Sequence, residues 1–199
     1  QPQELTRGAV PIPDRFRKFS IAVVESTNLM TLGYSRELEK DAAIKKAVQI
    51  LQQGGQVLIP VFVIGRSAEI YTIFHQSTLI QETLKHVGGK IFVDGSAREA
   101  FRIYKEQING FEYDERDFVK DREHREQIIR GKEPAIVIAP SGMFLGNSAA
   151  VQYANSWIGR EKNAIFVVGW QANGTKGAQL LEAKRGRMFR FGEDSCWLA

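Results

Sequence analysis

An α/β fold, a mostly parallel sheet covered by helices on both faces, is what this sequence predicts, and three observations predict it. Strand-like apolar runs alternate with helical stripes along most of the chain. The runs at residues 56–63 and 135–139 are almost continuously apolar, as strands covered on both faces must be. The connections are short, and parallel strands need helical crossovers that are nearly always right-handed.

The elements follow in order. Val23 and Val24 form a first strand ending at Glu25-Ser26-Thr27. Residues 36–53 carry Ile44, Ala47, Val48 and Leu51 on one helical stripe, and Gly54-Gly55 stops them. The strand 56–63 leads to Gly65-Arg66-Ser67 and a helix starting near Arg66, with Ile70, Ile73 and Phe74 as its apolar face. After Gly88-Gly89 comes a short strand, 90–93, ending at Asp94-Gly95-Ser96. Ala97, Ala100, Phe101, Tyr104 and Ile108 mark the next helix, which Asn109-Gly110 breaks. The charged stretch 112–132 holds an amphipathic helix around 122–130. Pro134 introduces a strand at 135–139, and a helix spans about 147–158. A strand at 164–168, a short helix after Gly177 and a strand at 187–191 complete the chain. Five strand-like runs thus end in polar or glycine turns, where an open parallel sheet places its ligand.

Composition bounds the function. The 199 residues are 43% hydrophobic, sufficient for a stable core. No apolar run reaches the roughly 20 residues that cross a bilayer, and the first residues lack a signal-peptide pattern, so a cytoplasmic protein with no membrane partner is expected. The single cysteine, Cys196, excludes an internal disulfide and any multi-cysteine zinc site. A net charge of +4 suits phosphate contacts but is ordinary for a soluble protein. Two basic clusters, Arg15/Arg17/Lys18 and Lys184/Arg185/Arg187/Arg190, read first as solvated faces.

The three histidines, His75, His86 and His124, stand in no metal-binding spacing, and a structural role is expected of each. Ser141 follows a buried strand, yet Ala139 and Met143 replace the small glycine pair of a nucleophile elbow, and no histidine follows His124 to act as base. Neither dinucleotide nor P-loop glycine motifs occur. Gly65-Arg66-Ser67 remains a candidate anion site, from unpaired helix N–H groups and a guanidinium, against an alternative in which Arg66 pairs with Glu69. Ser141-Gly142-Met143 and Gly174-Thr175-Lys176-Gly177 suit close approach by a phosphate or, equally, a tight turn without ligand. Glu25 ends a strand where a partly desolvated carboxylate can orient a histidine and support general acid chemistry, or simply cap a turn.

Four of these segments in chain order, 24–27, 57–69, 136–143 and 169–177, resemble the β-CASP family, the RNA- and DNA-processing branch of the metallo-β-lactamase superfamily, which includes the nuclease of pre-mRNA 3′-end cleavage. The resemblance implies a Rossmann-like β-CASP domain that closes over a metallo-β-lactamase part binding two zinc ions, forming an RNA cleft where phosphodiesters are hydrolysed by a two-metal scheme. Glu25 matches the family's first β-CASP motif, and it is the catalytic residue that the resemblance implies. Arg66, Ser141, Gly142, Met143, Gln171, Gly174 and Thr175 are expected to face the substrate.

The sequence departs from the family where the metal ligands belong: residues 1–24 hold no histidine, and none follows the last strand. The expectation is therefore the β-CASP portion of a longer enzyme, with residues 1–33 at the edge of the metallo-β-lactamase part, 34–183 as the β-CASP domain and 184–199 returning toward that part. Zinc ligands then lie outside this chain, and this portion alone is expected to bind little zinc and cleave no RNA. The alternatives are a non-catalytic nucleic-acid-binding subunit that has lost its ligands, and a DNA-processing member.

Overall fold

The computed structural model describes residues 14–16, 18, 20–21, 35–184, 186, 188–191 and 195–197. The expected first strand, with Glu25, lies outside them. Four parallel strands, β1 (Gln56–Pro60), β2 (Lys90–Val93), β3 (Ala135–Ala139) and β4 (Ala164–Ile165), form one sheet in the order β2-β3-β1-β4. Each strand is followed by helix: α2 (Arg66–His75) and α3 (Thr78–Val87) after β1, α4 (Ala97–Gln107) and α5 (Arg122–Arg130) after β2, α6 (Ala149–Trp157) after β3 and α7 (Lys176–Glu182) after β4. Helix α1 (Arg36–Gln52) precedes β1 and is capped by the Ser35 hydroxyl, which accepts the Leu38 N–H.

The continuous apolar runs conceal a period of two. Val57, Ile59, Ile136, Ile138, Ile91 and Val93 face a core shared with α1–α4. Leu58, Val137 and Ala139 face a second core built with Val151, Tyr153 and Trp157 of α6 and Ile128 of α5. All five residues of both β1 and β3 are buried, because these strands lie inside the sheet with helices over either face.

That arrangement positions a site. The helix following β1 packs in the first core and the helix following β3 in the second, although the two strands are hydrogen-bonded neighbours. Their crossovers leave on opposite faces, which makes the carboxyl ends of β1 and β3 a topological switch point, the place where an open parallel sheet receives its ligand.

Four expectations differ from what the chain does. β1 ends at Pro60 rather than residue 63: the Val61 N–H still reaches the Ala139 carbonyl, but residues 63–65 turn, with Gly65 at φ +73°. β4 keeps only two residues; the Phe166 N–H bonds the Leu58 carbonyl, and the next ladder bond would need an N–H that Pro60 lacks. The helical span after Arg66 is two helices, because the Ser77 hydroxyl caps a new start at Thr78. The strand expected at 187–191, β5 (Met188–Arg190), is followed by a further strand, β6 (Ser195–Trp197), and pairs antiparallel with it in a separate two-stranded sheet.

Candidate functional site

The switch point is built from three turns that interlock around one phenyl ring. Phe62 leaves β1 half-exposed, and the glycines of the two flanking turns lie against it. A Cβ on Gly142 would stand 3.1 Å from the Phe62 nitrogen, and one on Gly169 would stand 2.9 Å from the ring. Only glycine lets both backbones approach so closely. Gln171 ties the turns together: its Nε2 donates to the carbonyl oxygens of Gly142 at 2.9 Å and Gly169 at 3.0 Å. A Cβ on Gly177 would collide with the Gln171 amide oxygen at 1.6 Å, so that glycine makes room for the tie.

The remaining turn residues are fixed in the same manner. The Ser141 hydroxyl accepts the Leu145 N–H at 2.8 Å, and the Met143 carbonyl accepts the Gly177 N–H at 3.3 Å. Gly174 takes the left-handed conformation at φ +82°, and Thr175 caps α7 by accepting the Ala178 N–H at 3.3 Å. Helix α7 therefore starts at Lys176, ahead of Gly177. The structure thus gathers Ser141, Gly142, Met143, Gln171 and Thr175 into one hydrogen-bonded unit, with Gly174 in its outer turn.

Arg66 stands at the first turn of α2 and points elsewhere. Its Nη1 lies 2.8 Å from Oε2 of Glu69, a nearly buried carboxylate whose other oxygen accepts from Arg36. The N–H groups that an anion would have used are engaged: Gly65 donates to the Tyr104 hydroxyl at 2.6 Å, Arg66 to the Ile64 carbonyl and Ser67 to the Phe62 carbonyl. The Arg66–Glu69 pairing is the alternative that the spacing left open. Beside the pair runs a groove of about 520 Å³ lined by Arg36, Lys40, Lys46, Arg66, Phe166 and Val168, among others.

The fifth strand end, Asp94-Gly95-Ser96, is a lock. Asp94 is fully buried, and Arg125 grips it through two bonds of 2.6 and 2.8 Å while the Tyr153 hydroxyl donates a third at 3.0 Å. The carboxylate raises the Arg125 pKa through hydrogen bonding, and burial, reinforced by the Asp94 charge, pushes the Tyr153 phenol far above its ordinary range. The 31 and 59 residues separating Asp94 from these partners leave no local sequence signal. His75 stacks on Tyr71, and His124 accepts the Lys120 N–H while meeting Phe92 edge-on. Among the described residues no three His, Cys, Asp or Glu side chains come together as metal ligands, so these residues do not fit a zinc centre. No described helix is long and apolar enough to cross a membrane.

Residues 46–180 match the family model described as the Beta-Casp domain. The chain belongs to the β-CASP family. It is 32% identical over 203 residues to the transcription termination factor FttA of Thermococcus kodakarensis, covering 90% of this chain and 30% of that protein. It is 27% identical over 191 residues to an RNase J-like protein of Methanocaldococcus jannaschii, covering 91% and 44%. It is also 29% identical over 171 residues to RNase aCSPSF2 of Saccharolobus solfataricus, covering 82% and 32%. The chain therefore spans less than half the length of these curated relatives. Every turn of the switch point lies within the matched β-CASP residues.

Proposed function

We propose that this chain is the RNA-facing part of a β-CASP ribonuclease, its strand-end turns forming one wall of the cleft in which a phosphodiester is hydrolysed. The reading is carried by the junction of the β1, β3 and β4 ends, where glycine-lined turns are held by Gln171 at the switch point of a parallel sheet. Relatives named RNase J-like protein and RNase aCSPSF2 support RNA as the substrate class. In this reading the chain divides at residues 33/34 and 183/184, the protein works in the cytoplasm, and Glu25 is its contribution to proton transfer. Zinc, two ions in the complete enzyme, would be held by side chains other than the described ones.

Beside these turns, in the groove that it lines with Phe166 and Val168, Arg66 is the phosphate contact. Its guanidinium is partly exposed, and Arg36 keeps Glu69 compensated when Arg66 turns away, so binding a phosphate strands no buried charge. Titration of the protein with labelled single-stranded RNA and DNA at two salt concentrations tests this. R66A should weaken binding and reduce the slope of log K against log salt by about one. Unchanged affinity and slope would remove Arg66 from that role, and tighter binding of DNA than RNA would move the protein to the DNA-processing side of the family.

A further inference from the structure

Trp170 is 74% exposed, the most solvated large aromatic among the described residues. Among the described residues its indole takes part in no hydrogen bond or ring contact. Leaving so large an apolar face in water forgoes burial that would stabilise the fold by about 1.5–3 kcal/mol for a side chain of this class. The backbone around it is not loose. On one side Gly169 is pressed against Phe62 and its carbonyl accepts from Gln171; on the other, Gln171 is tied across to Gly142 and packed against Gly177. A residue anchored on both flanks has its backbone fixed before any ligand arrives, and its side chain is left in the solvent.

The setting adds chemistry. Trp170 lies in the turn after β4, next in the chain to the Gly169 that packs on Phe62, and Phe62 itself is 39% exposed. Leu145 and Ile64, on the turns after β3 and β1, are also exposed. The chain carries a net charge of +4, and Arg66, at the start of the helix after β1, lines the neighbouring groove with Phe166 and Val168. Aromatic faces beside cations are how proteins hold single strands: the cations follow the backbone and each ring takes a base, whatever its identity.

Resting on the nucleic-acid reading above, we infer that Trp170 is a stacking platform for an unpaired nucleobase of the substrate strand, positioning the strand along these turns without reading its sequence. It touches no scissile bond and acts through the base beside it. Duplex strands would be rejected, because within a duplex each base's faces are covered by its stacked neighbours.

The test uses an oligouridylate of about twelve nucleotides and an abasic ribose-phosphate oligomer of the same length. The protein should bind the oligouridylate with quenching of indole emission. W170A should lose about tenfold or more of that affinity with the salt slope unchanged, and should bind the abasic oligomer as the parent does. W170F, which keeps a ring, should retain most of the affinity and lose the quenching. The thermal midpoint should be unaffected in both variants, since no contact of the fold is removed. Equal oligouridylate affinity in W170A overturns the inference while leaving the nucleic-acid reading intact; so does an equal loss toward the abasic oligomer. If W170A instead abolishes self-association of the protein and leaves oligomer binding unchanged, the indole serves a protein contact and the inference is wrong. If the parent binds no oligomer at low salt, the nucleic-acid reading fails first and this inference with it.

Discussion

Replacing Arg125 with methionine isolates what holds the β2 end to helices α5 and α6. Met fills much of the volume of the arginine stem but carries no charge, so the change leaves the Asp94 carboxylate, fully buried, with the Tyr153 hydroxyl and the Gly95 N–H as its remaining partners. Breaking one side of a buried pair costs about 3–5 kcal/mol, dominated by the stranded charge rather than by the two lost hydrogen bonds. The second variant separates these terms. In D94N/R125M the buried side chain is neutral and still offers an acceptor to Tyr153, so most of the loss should return, leaving a deficit of about 1–2 kcal/mol. Urea unfolding followed by far-ultraviolet circular dichroism reads both values, with m unchanged between variants. A loss below about 1 kcal/mol in R125M, or a double variant no more stable than the single, would refute the lock, because both outcomes require that the charge is not desolvated.

Two further outcomes follow from named contacts. G177A places a Cβ 1.6 Å from the Gln171 amide oxygen, so it should displace the tie and cost about 1–3 kcal/mol in thermal unfolding; in a Q171A background the same change should be neutral or stabilising, alanine being the better helix former, and equal costs in both backgrounds would show that the tie is not what Gly177 protects. Burial, aided by the carboxylates of Asp117 and Asp94, raises the phenol pKa of Tyr71 and Tyr153. A folded pKa above the unfolded value of about 10 contributes stability that is present below that pH and lost above it. These two phenols should therefore ionise only as the chain unfolds in alkali, in a cooperative step of tyrosinate absorbance that Y71F/Y153F removes; gradual ionisation of both in the folded protein would contradict their burial.

Legibility in the sequence followed the range of each interaction. Helix α5 and strand β3 take the expected bounds because their signals are adjacent: Asp121 caps the helix by accepting the His124 N–H, and Pro134 stands immediately before the strand. The end of β1 was obscured because Val61 to Ile64 are all apolar while doing different work. Val61 is buried in the core, whereas Phe62 and Ile64 stand exposed in the turn after β1. An apolar run cannot distinguish a strand from such a turn. The break before α3 was masked in the same way, since Leu79 and Ile80 continue the apolar pattern across the Ser77 cap. In the site, the Arg66–Glu69 spacing was readable as an i,i+3 pair, but Arg36, 33 residues from Glu69, was not. The interlocking of Gly142, Gly169 and Gln171 on Phe62 depends on strand order, and sequence periodicity does not specify strand order.

The claim that the strand carboxyl ends form the substrate wall is tested most directly by mapping backbone amide chemical shifts while single-stranded RNA is added to the isotope-labelled 199-residue chain. Shifts concentrated at residues 62–67, 141–145 and 169–175 are the expected result. Shifts confined to the opposite end of the sheet, around Gln56, Lys90 and Glu133, would contradict it.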